Sequence, residues 1–112
     1  MATEPRPGGL TIRAIQPADY APVCDIVTIL FEAFVAPRVT PEGRARFLAQ
    51  TQPAKLAERI AEGHRYAVAL LRGRPVGVVG IGLNHHLYWL WVDAACHRRG
   101  IAARLLEYAR AM

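Results

Sequence analysis

The chain has 112 residues, 53% of them hydrophobic and 21% charged, with 14 Lys and Arg against 9 Asp and Glu for a formal net charge of +5. That length suits one small domain, and that composition excludes a disordered tail or a low-complexity linker. No apolar run reaches the roughly 18–20 residues of a membrane span, the N-terminus does not read as a signal peptide, and the two cysteines are too few for a disulfide scaffold, so a soluble, cytoplasmic domain with no membrane partner is expected.

Residues 1–9 contain two prolines and two glycines and read as a flexible lead-in to a domain spanning 10–112. Residues 10–15 alternate apolar and polar positions, as a half-buried strand does. Gln16-Pro17-Ala18-Asp19 then opens a helix, with proline tolerated in the first turn. Val23, Ile26, Val27, Leu30, Phe31 and Phe34 recur at helical offsets and predict one stripe facing a core. Pro37 ends that helix, and Thr40-Pro41-Glu42 caps a second helical region, interrupted at Gln52-Pro53 and stopped by Gly63. Strands at 64–72 and 75–83 follow, joined by a tight turn at Gly73-Arg74. Gly77, Gly80 and Gly82 predict that a ligand or a helix approaches the second of these strands closely. Asn84-His85 turns the chain into a third strand at 86–92, and a last helix begins near Gly100. The order β-α-α-β-β-β-α predicts an α+β layer fold.

The positive charge is almost entirely arginine, Lys55 being the only lysine. Genomic base composition accounts for such a bias, so global charge does not separate a nucleic acid, a phosphate-bearing cofactor and no anionic partner. The segment Leu90-Trp91-Val92-Asp93-Ala94-Ala95-Cys96-His97-Arg98-Arg99-Gly100-Ile101-Ala102 is more informative. A buried strand passes through a short basic loop into a helix whose first residues are small. The opening amides of a helix lack intrahelical partners and carry partial positive charge, so a phosphate can sit against them where Gly100 and Ala102 leave room. Arg98 and Arg99 add charge-assisted contacts. An ordinary strand-to-helix turn with a surface arginine pair has the same composition.

This segment resembles the acetyl-CoA motif of the GCN5-related N-acetyltransferase (GNAT) superfamily, Gln/Arg-x-x-Gly-x-Gly/Ala. His97-Arg98-Arg99-Gly100-Ile101-Ala102 follows it, with His97 in place of the usual first residue. Leu90-Trp91-Val92 precedes it at the family's spacing for a bulged fourth strand. Residues 10–15, Pro17-Ala18-Asp19, and 74–80 look like the family's first strand, first helix start and turn into the third strand. The resemblance implies a GNAT-like acyl-CoA N-acyltransferase fold with a mixed, mostly antiparallel sheet flanked by helices.

It also implies acetyl-CoA as co-substrate, an amine acceptor and no metal. The backbones of Leu90, Trp91 and Val92 would pair with the pantetheine amides as a neighbouring strand would. A bulge there would aim one N–H at the thioester carbonyl. Amides from Arg98 through Arg99, Gly100, Ile101 and Ala102 to Ala103 would hold the pyrophosphate, and His97, which opens the motif, belongs to the same cofactor-binding set. His86 stands where several relatives carry a general base, and an imidazole takes up protons near neutral pH. Phe31, Phe34 and Arg38 fall in the region that usually shapes the acceptor pocket. Tyr88 and Trp89 read as core or pocket walls, and Cys96 has no base beside it to make it a nucleophile.

The family pattern continues past this helix into a fifth strand, a helix and two further strands that carry the usual general acid. Relative to it the sequence stops at Met112, and no residue takes the acid role. Self-association through the apolar fourth strand is therefore expected. The leading reading is an N-acetyltransferase acting on a small-molecule or protein amine. A non-catalytic CoA-binding or assembly module is the alternative. A nucleic-acid partner is not expected, because the arginines are scattered and no recognition helix or aromatic stacking platform is present.

Overall fold

The computed structural model describes residues 9–97 and 99–112. Strand β1, Leu10–Ala14, leads through a 3-10 turn at Pro17–Asp19 into helix α1, Tyr20–Phe34. A second 3-10 turn, Ala36–Arg38, precedes helices α2, Pro41–Gln50, and α3, Pro53–Ala61. Strands β2, Arg65–Leu71, β3, Arg74–Ile81, and β4, Leu87–Val92, follow, and α4, Ile101–Arg110, comes last. The lead-in expected at 1–9 lies outside the described residues except for Gly9, whose carbonyl accepts the Arg72 N–H at 3.0 Å.

The four strands form one antiparallel sheet in the order β1-β2-β3-β4. Among the described residues no strand pair is parallel. The second helical region is two helices, because Thr51 at φ −106°, ψ 56° leaves the helical region and Pro53 restarts it at the first turn. The β2–β3 turn sits one residue earlier than the sequence pattern predicts. Leu71 pairs with Arg74, so Arg72 and Gly73 form the two-residue loop, both at positive φ (53° and 82°). That geometry matches the right-handed twist of the flanking strands.

Alternation along the strands divides the core into two layers. Tyr66, Val68, Leu70, Val78 and Trp89 face α1 and α3, where Val23, Cys24, Val27 and Leu56 meet them. Ala67, Ala69, Val76 and Val79 face α4 and meet Ile101, Leu105 and Cys96. The small residues are what let α4 close. A Cβ on Gly77 would lie 3.1 Å from the Leu105 side chain, so the glycine expected to admit a ligand or a helix admits the helix. Gly80 serves the opposite face, where the Tyr66 ring covers its backbone.

The predicted α1 stripe holds at Val23, Val27, Leu30 and Phe31 but not at Phe34, which is 55% exposed. Phe34 ends α1 beyond the packed layer, while Phe31 stacks on Phe47 with centroids 4.0 Å apart. Among the described residues, no helix is long and apolar enough to cross a membrane.

Candidate functional site

Among the described residues, strand β4 pairs on one side only, with β3. The Asp93 N–H donates to the Val76 carbonyl at 2.8 Å, which sets the phase of the ladder. Antiparallel pairs alternate between hydrogen-bonded and non-bonded positions. Trp91, opposite Val78, and Trp89, opposite Gly80, therefore bond to β3. Leu90 and Val92 turn their N–H and C=O groups to the open edge. Their side chains pack on the α4 side, whereas Trp89 and Trp91 pack on the α1 side. The edge thus offers the N–H groups of Leu90 and Val92 and the Leu90 carbonyl above an apolar floor.

A β-bulge does occur in β4, but earlier than expected. Gly80 pairs with Trp89 and Ile81 with Leu87, leaving Tyr88 as the extra residue, two positions before Leu90. The bulge puts Tyr88 and Trp89 on the same face, their rings stacked at 6.2 Å and 19°.

The loop after β4 is tied down by its own polar groups. Asp93 Oδ1 accepts from the Ala95 N–H at 3.0 Å, and the Asp93 carbonyl accepts from the Cys96 N–H at 2.8 Å. Gly100 then adopts φ 73°, a conformation that costs an L side chain about 1–2 kcal/mol. A Cβ there would meet nothing within 4 Å, so the surface over it is open. The Arg104 N–H to Gly100 carbonyl bond, 3.1 Å, starts α4 and leaves the amides of Ile101, Ala102 and Ala103 ahead of it without intrahelical partners. Among the described residues, no side chain caps this end. Those amides and the helix dipole leave partial positive charge at this end, with exposed Arg99 just before it in the chain. Arg98 lies outside the described residues.

His97, the first residue of the motif, does not face α4. Its ring turns back to β4, with Nε2 2.8 Å from the Val92 carbonyl oxygen. His86 sits at the other end of the strand, exposed, with its carbonyl accepting the Gly82 N–H at 2.8 Å. β4 therefore separates His86, expected as a base, from the start of α4.

The three expected acceptor residues diverge. Phe31 is buried in the α1 layer, and Arg38 is exposed in its 3-10 turn. Phe34 lies 6.5 Å from the His97 ring and, with Ile26, Ile29 and Asp93, borders an apolar hollow of about 160 Å³. Phe34 thus neighbours the α4 end of β4 and not His86.

One cluster has no counterpart in the sequence reading. Arg59 of α3 is buried beneath the bulge, its guanidinium 5.2 Å from the ring centroids of both Tyr88 and Trp89. Its Nε–H donates to the Tyr66 hydroxyl at 2.9 Å and Nη1 to the Gln50 carbonyl at 3.0 Å, while Nη2 has no hydrogen-bond partner. Burial raises the Tyr66 hydroxyl pKa, with Arg59 opposing it. On an amphipathic helix an arginine reads as solvated, so the only signal was its position on the Leu56–Ile60 side of α3.

A protein-family model described as an acetyltransferase (GNAT) domain matches residues 35–112. The uncharacterized N-acetyltransferase YafP of Escherichia coli is 28% identical over 98 residues, covering 88% of this chain. The chain spans 63% of that relative's length. The structure of the PaiA N-acetyltransferase of Thermoplasma acidophilum in complex with coenzyme A superposes with a TM-score of 0.80 at 14% identity, covering 91% of this chain and 70% of that one. A GCN5-related N-acetyltransferase from Rhodopseudomonas palustris superposes with a TM-score of 0.75 at 24% identity, covering 99% and 67%.

Proposed function

Because the chain belongs to the GNAT acetyltransferase family, we propose that it takes part in transfer of an acetyl group from acetyl-CoA to a primary amine of a small molecule or protein. The observation that carries this reading is the open β4 edge, followed through one short loop by the uncapped start of α4. The outward amides of Leu90 and Val92 pair with the two amides of the pantetheine arm, adding it to the sheet as a strand. The amides of Ile101, Ala102 and Ala103 take the pyrophosphate, and Arg98 and Arg99 supply charge. Coenzyme A in the PaiA relative's structure supports the same ligand here.

The amine nitrogen attacks the thioester carbon, the C–S bond breaks, and the thiolate leaves with the bonding pair. Holding amine and thioester in line along β4 supplies most of the acceleration. His86, at the far end of the strand from α4, accepts the ammonium proton directly or through water. Leu87 and Tyr88, both about half exposed, leave an apolar edge that a second copy also covers. Self-association and acetyl-CoA therefore compete for β4. Two buried free cysteines suit a reducing compartment such as the cytoplasm.

Calorimetric titration with acetyl-CoA, followed by thiol release over a panel of amines, tests the reading. The Cβ of Gly100→Glu meets no atom within 4 Å but the variant carries the strain of φ 73°, so it is compared with Gly100→Ala, which shares the strain without the charge. The folded Glu variant should lose acetyl-CoA binding and the Ala variant should keep most of it. Unchanged affinity would remove the pyrophosphate assignment. Binding without turnover on any amine would favour a non-catalytic CoA-binding module.

A further inference from the structure

The β2–β3 turn and the loop after β4 meet at one end of the sheet. Leu71 pairs with Arg74 across the two-residue turn, which places Arg72 and Arg74 there. The Asp93 N–H to Val76 carbonyl bond pins the β4 loop against the same end and brings in Arg99. Between the two segments lies a hollow of about 420 Å³, lined by these three arginines, Asp93, and the buried Val76 and Cys96. Gly100 and Ala103 border a second hollow that runs along the flank of α4 to Glu107 and Arg110, and none of Gly100, Ile101, Ala102 and Ala103 lines the hollow between the two segments.

Three arginines and one aspartate line this hollow. Asp93 is already engaged, its Oδ1 accepting from Ala95. Among the described residues none of the three arginines forms an ion pair. Like charges around one concavity repel until an anion enters, and planar guanidinium forks match the oxygens of a phosphate group. The buried floor limits hydration of whatever sits in the hollow, which strengthens such contacts.

We propose that this hollow is a binding site for a phosphate monoester, held by Arg72, Arg74 and Arg99. The group belongs either to acetyl-CoA itself, as its 3′-phosphate, or to a separate phosphorylated ligand. Only the first source rests on the proposed use of acetyl-CoA.

The test compares wild type with Arg72→Ala/Arg74→Ala, using Arg46→Ala/Arg65→Ala as a control that removes the same charge elsewhere. Inorganic phosphate is titrated at constant ionic strength and followed by backbone amide NMR. Loss of about tenfold or more in phosphate affinity, the scale of charge-assisted hydrogen bonds, is expected in the first variant and not in the control. Equal affinity in all three proteins, or none in wild type, would overturn the site.

Acetyl-CoA and its 3′-dephospho form then identify the source. A wild-type preference for acetyl-CoA that disappears in the first variant assigns the hollow to the 3′-phosphate. A phosphate site whose removal leaves that preference intact assigns it to a separate ligand. If neither form of acetyl-CoA binds, the proposed function fails while the phosphate titration still decides the hollow.

Discussion

The His97 ring closes onto the strand that precedes it, with Nε2 2.8 Å from the carbonyl oxygen of Val92 on the open edge of β4. A carbonyl oxygen only accepts, so Nε2 carries the proton. The first residue of the motif thereby occupies the acceptor that a pantetheine amide needs under the proposed function.

Removing the ring should release that acceptor. A net hydrogen bond of about 0.5–1.5 kcal/mol corresponds to acetyl-CoA binding about two- to tenfold tighter in His97→Ala. Calorimetry on the two proteins measures it. Weaker binding in the variant would mean that the ring contacts the ligand instead of competing with it.

Gly80 is required by its neighbour and not by its own backbone angles. A Cβ there would overlap the Tyr66 ring, whose Cδ2 would lie 2.7 Å away. Tyr66 is buried and held by the Arg59 Nε–H, so it has little room to retreat. Gly80→Ala should cost about 1–3 kcal/mol in chemical denaturation, as overpacking does. A variant as stable as wild type would show that the ring swings aside freely.

Asp19 should control stability in acid. Burial alone would raise its pKa, but hydrogen bonds from Arg13, at 2.7 and 3.1 Å, and from the Gln16 N–H, at 2.8 Å, hold it below the ordinary value. A lowered folded pKa stabilises the protein above the unfolded value and is lost as pH falls through the folded one. Asp19→Asn should therefore destabilise by about 1–3 kcal/mol at neutral pH, with the difference shrinking below about pH 4. A cost independent of pH would rule out the ion pair as its source.

Cys24 should be inert while the protein is folded. Its thiol is pushed up to about 11, chiefly by burial, with Arg59 opposing and Asp25 adding to the shift. Only the thiolate is strongly nucleophilic. Alkylation of Cys24 by iodoacetamide at neutral pH should follow unfolding, with peptide mapping as the readout. Rapid modification in native buffer would place the thiol at the surface.

What the sequence determined by itself is whatever contiguous residues settle among themselves. The α1 periodicity from Val23 to Phe31, the hairpin, the apolar run of β4 and the passage through Gly100 into α4 all depend on neighbours a few positions apart, so propensity and pattern reach them. The candidate ligand edge was legible for the same reason, since strand, loop and helix start form one segment. Tertiary structure alone decided which backbone groups of β4 face outward, because that phase comes from pairing Asp93 with Val76. It also decided that Arg59 lies beneath Tyr88 and Trp89, that Phe34 stands by His97, and that Arg72 and Arg74 line one hollow with Arg99. An arginine's pattern is the same whether its guanidinium reaches water, an aromatic ring or a shared hollow. Only the packing of segments distant in the chain selects among them.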